Sequence, residues 1–331
     1  MTNATTAMPS ATTVASNRFV AAHIAGATAL GQRLADLVAD PGDFVSALTS
    51  GFAEISDPGY AEGQRLVAPG LGPVLGVRLP LMDAVQKAFK RGTRNTSTAQ
   101  ILDIADRLLR EEAREARWFG MWNLARLLPS DPERTWQLLR RAASEADDWI
   151  SVDTLAHPYA EGILRDRRRW AEIEQLVYSP SRWERRLVGS TLAAMPHVKF
   201  PGNGDRLRVG RGLALVEQLI GDAEPDVQKA LSWALRTYAQ LDPAAVTAFA
   251  QAEARAAWAA NDGNRAWVIR DSLSKLPDDT ATDLRAAMDG IRRRPGAPST
   301  SRAAAAAAQL LPQPPTGTAR ADEQPRRTSA K

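Results

Sequence analysis

From about residue 17 to residue 293 the apolar residues recur at spacings of three and four, and almost nowhere at two. That periodicity marks helices that each bury one face. It is clear in "DAVQKAFKR", "TAQILDIADRLLREEA", "REARWFGMWNLARLL", "PERTWQLLRRAASEA", "WERRLVGSTLAAM", "RGLALVEQLIGD" and "EPDVQKALSWALRTYAQ". Turn signals of β-hairpins are nearly absent. In "SDPERTW" and "LDPAAV", Asp followed by Pro marks a helix start, because proline suits the first helical position. Helices pair through short turns, with pairs returning every 35 to 45 residues or so, a period that suits HEAT-type repeats. The expected fold is an all-α, HEAT-like helical-repeat solenoid over residues 17–293, with a concave surface for an extended partner.

The flanks read differently. The opening "MTNATTAMPSATTVASNR" lacks both the basic start and the apolar core of a secretory signal, so residues 1–16 are expected to be a disordered leader. A cytoplasmic location follows by default, and no apolar run is long enough to span a bilayer. From residue 294 to 331 the chain is rich in Ala, Pro, Ser and Arg and is expected to be disordered, apart from a transient turn or two at the alanine run. The Gly/Pro segment "MPHVKFPGNGDRLRVG", residues 195–210, reads as a long loop with Lys199, Arg206 and Arg208 available to a partner.

Composition excludes several chemistries. With 44% hydrophobic and 24% charged residues the chain is ordinary for a globular protein. It has no cysteine, which removes disulfides, thiol nucleophiles and thiolate metal sites together. The three histidines, His23, His157 and His197, are not spaced as helical metal ligands. No metal or cofactor is expected, although carboxylates alone can hold magnesium. Arginines cluster at 165–169, at Arg182, Arg185 and Arg186, and at Arg206, Arg208 and Arg211. Arginine clusters are one footprint of nucleic-acid binding. With a net charge of only +4, charge alone favours solvated helix faces.

The chemistry-bearing segment is "DDWISVDTLAHPYAEGIL". On a helix Val152, Leu155, Ala156, Tyr159 and Ile163 form one stripe, and Trp149 and Asp153 fall at its edge. Taken alone, the pair reads as a core Trp with a solvated Asp neighbour. Two downstream segments shift the balance. "SRWERRLVGST" carries Trp183 with Arg185 and Arg186, and "KALSWALRTYAQ" carries Lys229, Trp233 and Arg236. A tryptophan with an arginine can hold a nucleotide, the ring giving a π-face and the guanidinium taking phosphate. Trp118, Trp122, Trp136 and Trp170 read as core or near-core.

In order and spacing these three segments resemble the AlkD-like DNA alkylation repair enzymes, the HEAT-like-repeat DNA glycosylases. "GVRLPLMDAVQKAFKR" and "FVSALTSGFAEISDPGYAEGQR" resemble that family's N-terminal helices, and the similarity spans about residues 42 to 280. The resemblance implies catalytic roles for Trp149, Asp153 and Trp233. It implies DNA contacts by Arg186 and Arg236, with Arg182, Arg185 and Lys229 beside them and Arg270 by a looser match. It also implies a monofunctional glycosylase that removes N3- or N7-alkylated purines from double-stranded DNA without flipping the base. Such an enzyme needs no cofactor, acts as a monomer near the nucleoid and tolerates bulky adducts. Some relatives protect producers of DNA-alkylating natural products. The departures are longer termini and the 195–210 segment. The competing expectation is a non-catalytic scaffold that binds DNA structures or a protein.

Overall fold

The computed structural model describes residues 11–199 and 209–310. Among them the regular structure is helical, and the sole β-type pairing is an isolated bridge between Ser56 and Val77. Four helices open the chain: α1 (Ala11–Asp36), α2 (Pro41–Glu54), α3 (Pro58–Val67) and α4 (Leu79–Gly92), with α1 packed along α4. Five pairs follow. They are α5 (Thr98–Leu108) with α6 (Arg114–Leu127), α7 (Pro132–Ser144) with α8 (Trp149–Arg165), α9 (Trp170–Leu176) with α10 (Arg182–Ala194), α11 (Val209–Leu219) with α12 (Pro225–Tyr238), and α13 (Pro243–Ala260) with α14 (Gly263–Ser272). The second helix of each pair stacks on the second helix of the next, so α6, α8, α10, α12 and α14 form one continuous layer. Helices α15 (Asp278–Ala287) and α16 (Arg302–Leu310) complete the chain.

The repeat is written in polar contacts as well as in packing. Trp118 Nε1 donates to Ser151 Oγ 33 residues ahead, Trp136 Nε1 to Glu172 36 ahead, and Arg185 Nε to Asp222 37 ahead. Each bond joins one helix pair to the next, which is how a solenoid fixes the register of one repeat on the next. The chain is therefore an all-α helical-repeat solenoid.

Caps set the helix boundaries. Asp40, Asp57, Ser97, Asp148, Asp242 and Asp262 each accept backbone N–H groups of the helix they precede. The expected stripe of α8 is buried throughout: Val152, Leu155, Ala156, Tyr159 and Ile163 all lie in the core. Trp118, Trp136 and Trp170 are buried too, while Trp122 is half-buried.

Both flanks fold further than the sequence predicts. Helix α1 starts at Ala11, inside the stretch expected to be a disordered leader; residues 1–10 lie outside the described residues. The stretch from 294 to 310, expected to be disordered, is a strap that returns along the helix-pair turns. Arg293 Nη1 donates to Gln228 Oε1 at 2.9 Å, Asn264 Nδ2 to the Pro298 carbonyl at 3.2 Å, and Thr300 N to the Gly221 carbonyl at 2.8 Å. At Gly221 the approach is so close that a Cβ would collide with Thr300 Oγ1. Beyond it the alanine run forms α16, whose Ala303 is buried and whose Arg302 pairs with Glu217. Small side chains and hydroxyls suit a segment that packs by close backbone approach rather than by a hydrophobic stripe. Residues 311–331 lie outside the described residues, as do residues 200–208 with Arg206 and Arg208. Lys199 is exposed at the edge of that gap.

Candidate active site

Trp149 is the first residue of α8, and a buried network fixes it there. Asp148 caps the helix, accepting the Ser151 N–H at 2.8 Å and the Ser151 hydroxyl at 2.7 Å. Arg114, itself buried, donates to Asp147 at 2.8 Å and lies 3.6 Å from Asp148. The half-buried Trp149 ring sends its Nε1–H toward the Val67 carbonyl, 3.4 Å away. One turn on, Asp153 faces α10. Arg186 grips it with Nε to Oδ1 at 3.2 Å and Nη2 to Oδ2 at 2.8 Å, and the Ser190 hydroxyl donates to Oδ1 at 2.7 Å. The same guanidinium lies 5.8 Å from the Trp149 ring centroid. Its Nη1 donates to the Asp226 carbonyl of α12 at 2.7 Å. Arg186 thus ties three successive helices of the layer to one carboxylate. Helix α10 can reach α12 because Gly189 faces it: a Cβ there would stand 2.7 Å from the Ala230 carbonyl carbon.

The Arg186 side chain is 7% exposed and that of Asp153 is 23% exposed, so the carboxylate, not the guanidinium, holds the open side of the cluster. An oriented carboxylate beside an indole face can stabilise a cation and align or deprotonate a water.

The remaining expected site residues separate into two groups. Trp233 is half-buried on α12, and no hydrogen bond or ring contact joins it to Trp149 or Asp153 among the described residues. Lys229, on the same helix, is exposed and makes no ion pair among the described residues. Arg182 stacks over the Trp183 ring at 4.6 Å and reaches Glu224 at 3.5 Å, still largely exposed.

Four arginines expected to contact DNA each have a partner within the protein. Arg186 serves Asp153 and Asp226. Arg185 binds the buried Asp222 at 2.6 Å and the Ser179 carbonyl at 2.8 Å. Arg236 binds Asp271 through both its carboxylate, at 2.5 Å, and its carbonyl, at 2.9 Å. Arg270 donates to the Met288 carbonyl, and burial, with Arg292 nearby, lowers its pKa. For Arg186, Arg185 and Arg236 a carboxylate or carbonyl lies 33 to 40 residues away on a neighbouring repeat, and a guanidinium with several donors satisfies it, while the partner of Arg270 lies 18 residues on.

Free cations occur elsewhere. Lys87, Lys90, Arg91 and Arg94, with Arg126 of α6, line a groove of about 470 Å³. Lys87 pairs with Asp83, and Arg126 is committed to Thr93, burial lowering its pKa. Lys90, Arg91 and Arg94 are exposed and make no ion pair among the described residues. This basic groove continues through a hollow of about 860 Å³, lined in part by Leu79, Trp122, Thr154 and His157. Beyond it Trp122 and Thr154 also line a cavity whose wall is Trp149. The signal was present in the sequence: positions 87, 90 and 91 have helical spacing and so share one face of α4, with Arg94 in the turn just past its end.

No group of His, Asp and Glu among the described residues could hold a metal ion, and no helix there is long and apolar enough to cross a membrane. No curated protein matches the sequence significantly. A family model described as DNA alkylation repair enzyme matches residues 48–276, from α2 to the turn after α14. That stretch holds Trp149, Asp153, Arg186 and the basic groove, and it assigns the protein to DNA repair as an enzyme. The chain belongs to the DNA alkylation repair enzyme family.

Proposed function

We propose that the protein is a monofunctional DNA glycosylase that hydrolyses the N-glycosidic bond of N3- or N7-alkylated purines in duplex DNA. The observation that carries this reading is the Asp153 carboxylate, held by Arg186 and Ser190 and open beside Trp149. An alkylated purine is cationic, so it leaves with the bonding electron pair as a neutral base and the sugar becomes oxocarbenium-like. Asp153 and the indole face stabilise that charge. A water adds at C1′, and its proton passes to Asp153 and then to solvent. Trp233, one helix beyond Arg186, flanks the same backbone. The HEAT-like layer presents the sugar to this cluster while the base stays in the stack, which no base-flipping pocket is required to receive. The basic groove of α4 takes phosphates on the N-terminal side, and Lys229 and Arg182 take them on the other.

The test is a duplex with one N7-methylguanine and a label on the modified strand. The expected product is a free base and an abasic strand that breaks only after alkali. Tight binding without base release from any alkylated duplex would describe a scaffold instead.

A further inference from the structure

The layer of second helices carries a row of equivalent positions. Asp153, Arg186, Lys229 and Trp267 are the fifth residues of α8, α10, α12 and α14. Contacts beside them join neighbour to neighbour. Arg186 holds Asp153 and the Asp226 carbonyl, and Gln228 Nε2 donates to Asn264 Oδ1 at 3.2 Å. The row ends at the half-buried Trp267, and there the head of the strap crosses it. Arg293 lies 5.5 Å from the Trp267 ring centroid and donates to Gln228 Oε1 at 2.9 Å. The backbone passes so close to the start of α14 that a Cβ on Gly263 would collide with the Arg292 carbonyl. The strap is thus pinned over the first turns of α12 and α14, beside the exposed Lys229.

The pinned head is the run Arg292, Arg293 and Arg294, all three exposed. Arg294 makes no ion pair or side-chain hydrogen bond among the described residues. Arg292 reaches the Ile291 carbonyl at 3.2 Å and Asp289 at 3.5 Å, and that ion pair is largely exposed on both sides. An exposed pair of this kind contributes little. Arg270 lies close behind: its pKa is lowered by burial and then by Arg292, with Asp289 opposing. Cations gathered with so little neutralisation attract a polyanion. Arginine adds geometry, because its planar fork matches phosphate oxygens. The run lies beyond residues 48–276, the stretch that the family model matches.

We propose that Arg292 and Arg294, steadied by Arg293 on Trp267, form a phosphate clamp for the DNA duplex at the far end of the row. The proposal rests on duplex DNA as the substrate and extends its track past Lys229 onto a segment outside the family's core. Packed helices stand about 8–10 Å apart, so the three steps from α8 to α14 span roughly 27 Å. At about 3.4 Å per base pair that is roughly eight base pairs. The clamp therefore meets backbone about that far from the nucleotide at Asp153, on one side of it.

Two double variants test it: Arg292→Gln with Arg294→Gln, and Arg292→Lys with Arg294→Lys. Neither touches the contacts of Arg293 or of the Arg292 carbonyl, so both should melt with the wild type. Affinity for a long duplex is titrated against salt. The slope of log affinity on log salt should be shallower by about 0.9–1.8 in the glutamine pair and near wild type in the lysine pair. Excision is then followed at subsaturating protein on two duplexes carrying N7-methylguanine, one arm cut to half the expected distance on one side or the other. The glutamine pair should lag the wild type on one duplex and match it on the duplex that no longer reaches the strap. A wild-type slope in the glutamine pair, or an equal loss in the lysine pair, would overturn the clamp. So would a lag that persists on both shortened duplexes. If the wild type releases no N7-methylguanine while the glutamine pair still flattens the slope, the glycosylase reading fails and the clamp stands.

Discussion

Replacing Arg186 with alanine separates two roles that one arginine could have. In the structure its guanidinium is buried and holds both oxygens of Asp153, at 3.2 and 2.8 Å, and the Asp226 carbonyl at 2.7 Å. Removing one partner of a buried ion pair costs about 3–5 kcal/mol. Asp153 is 23% exposed and keeps the Ser190 hydroxyl, so its charge is partly relieved by solvent. The expected loss is therefore nearer 2–3 kcal/mol, roughly 4–12 °C in melting temperature for a domain of this size. Freed from its clamp, the carboxylate loses its aim. A misplacement of about 1 Å at a reacting centre costs on the order of 100-fold in rate. DNA affinity, titrated against salt, should keep its slope, because no phosphate contact is lost. The assays are thermal melts, single-turnover excision and binding between low and moderate salt. An unchanged melting temperature with a salt slope shallower by about 0.9 would show that Arg186 is a phosphate ligand, and the orienting role would be refuted.

Two further predictions follow from the same geometry. Changing Lys90, Arg91 and Arg94 to glutamine should flatten the salt dependence of DNA binding by about 0.9 per phosphate lost, while excision at saturating protein stays near wild type. Truncation after Gly290 removes the strap's bonds to Gln228, Asn264, Gly221 and Asp262, and at about 1 kcal/mol each it should cost roughly 4 kcal/mol of stability in a chemical melt.

What could be read from the sequence was local. The stripe of α8 follows from helical spacing, so Trp149 and Asp153 had to share its edge. The class of fold followed from the same periodicity repeated along the chain. The role of Arg186 was not legible, because its partner lies 33 residues upstream and the pairing depends on the register of stacked repeats. The partners of Arg185 and Arg236 were hidden for the same reason: Asp222 and Asp271 lie 37 and 35 residues away. The strap escaped notice because Ser299, Thr300 and Ala303 carry no apolar periodicity; they pack by hydroxyl bonds and close backbone approach. The basic face of α4 was visible at residues 87, 90 and 91, but the same helix also reads as an ordinary amphipathic element. Its meaning came from the groove that Arg126 of α6 closes.

The central claim is that the carboxylate of Asp153 performs the excision. The direct measurement is mass spectrometry of the bases released from alkylated duplex DNA by the wild type and by Asp153→Asn, with DNA affinity measured in parallel. The expected result is free N3- or N7-alkylpurine from the wild type, an unbroken backbone, and at least a hundredfold slower release by Asp153→Asn at similar affinity. Release by Asp153→Asn at the wild-type rate would contradict it.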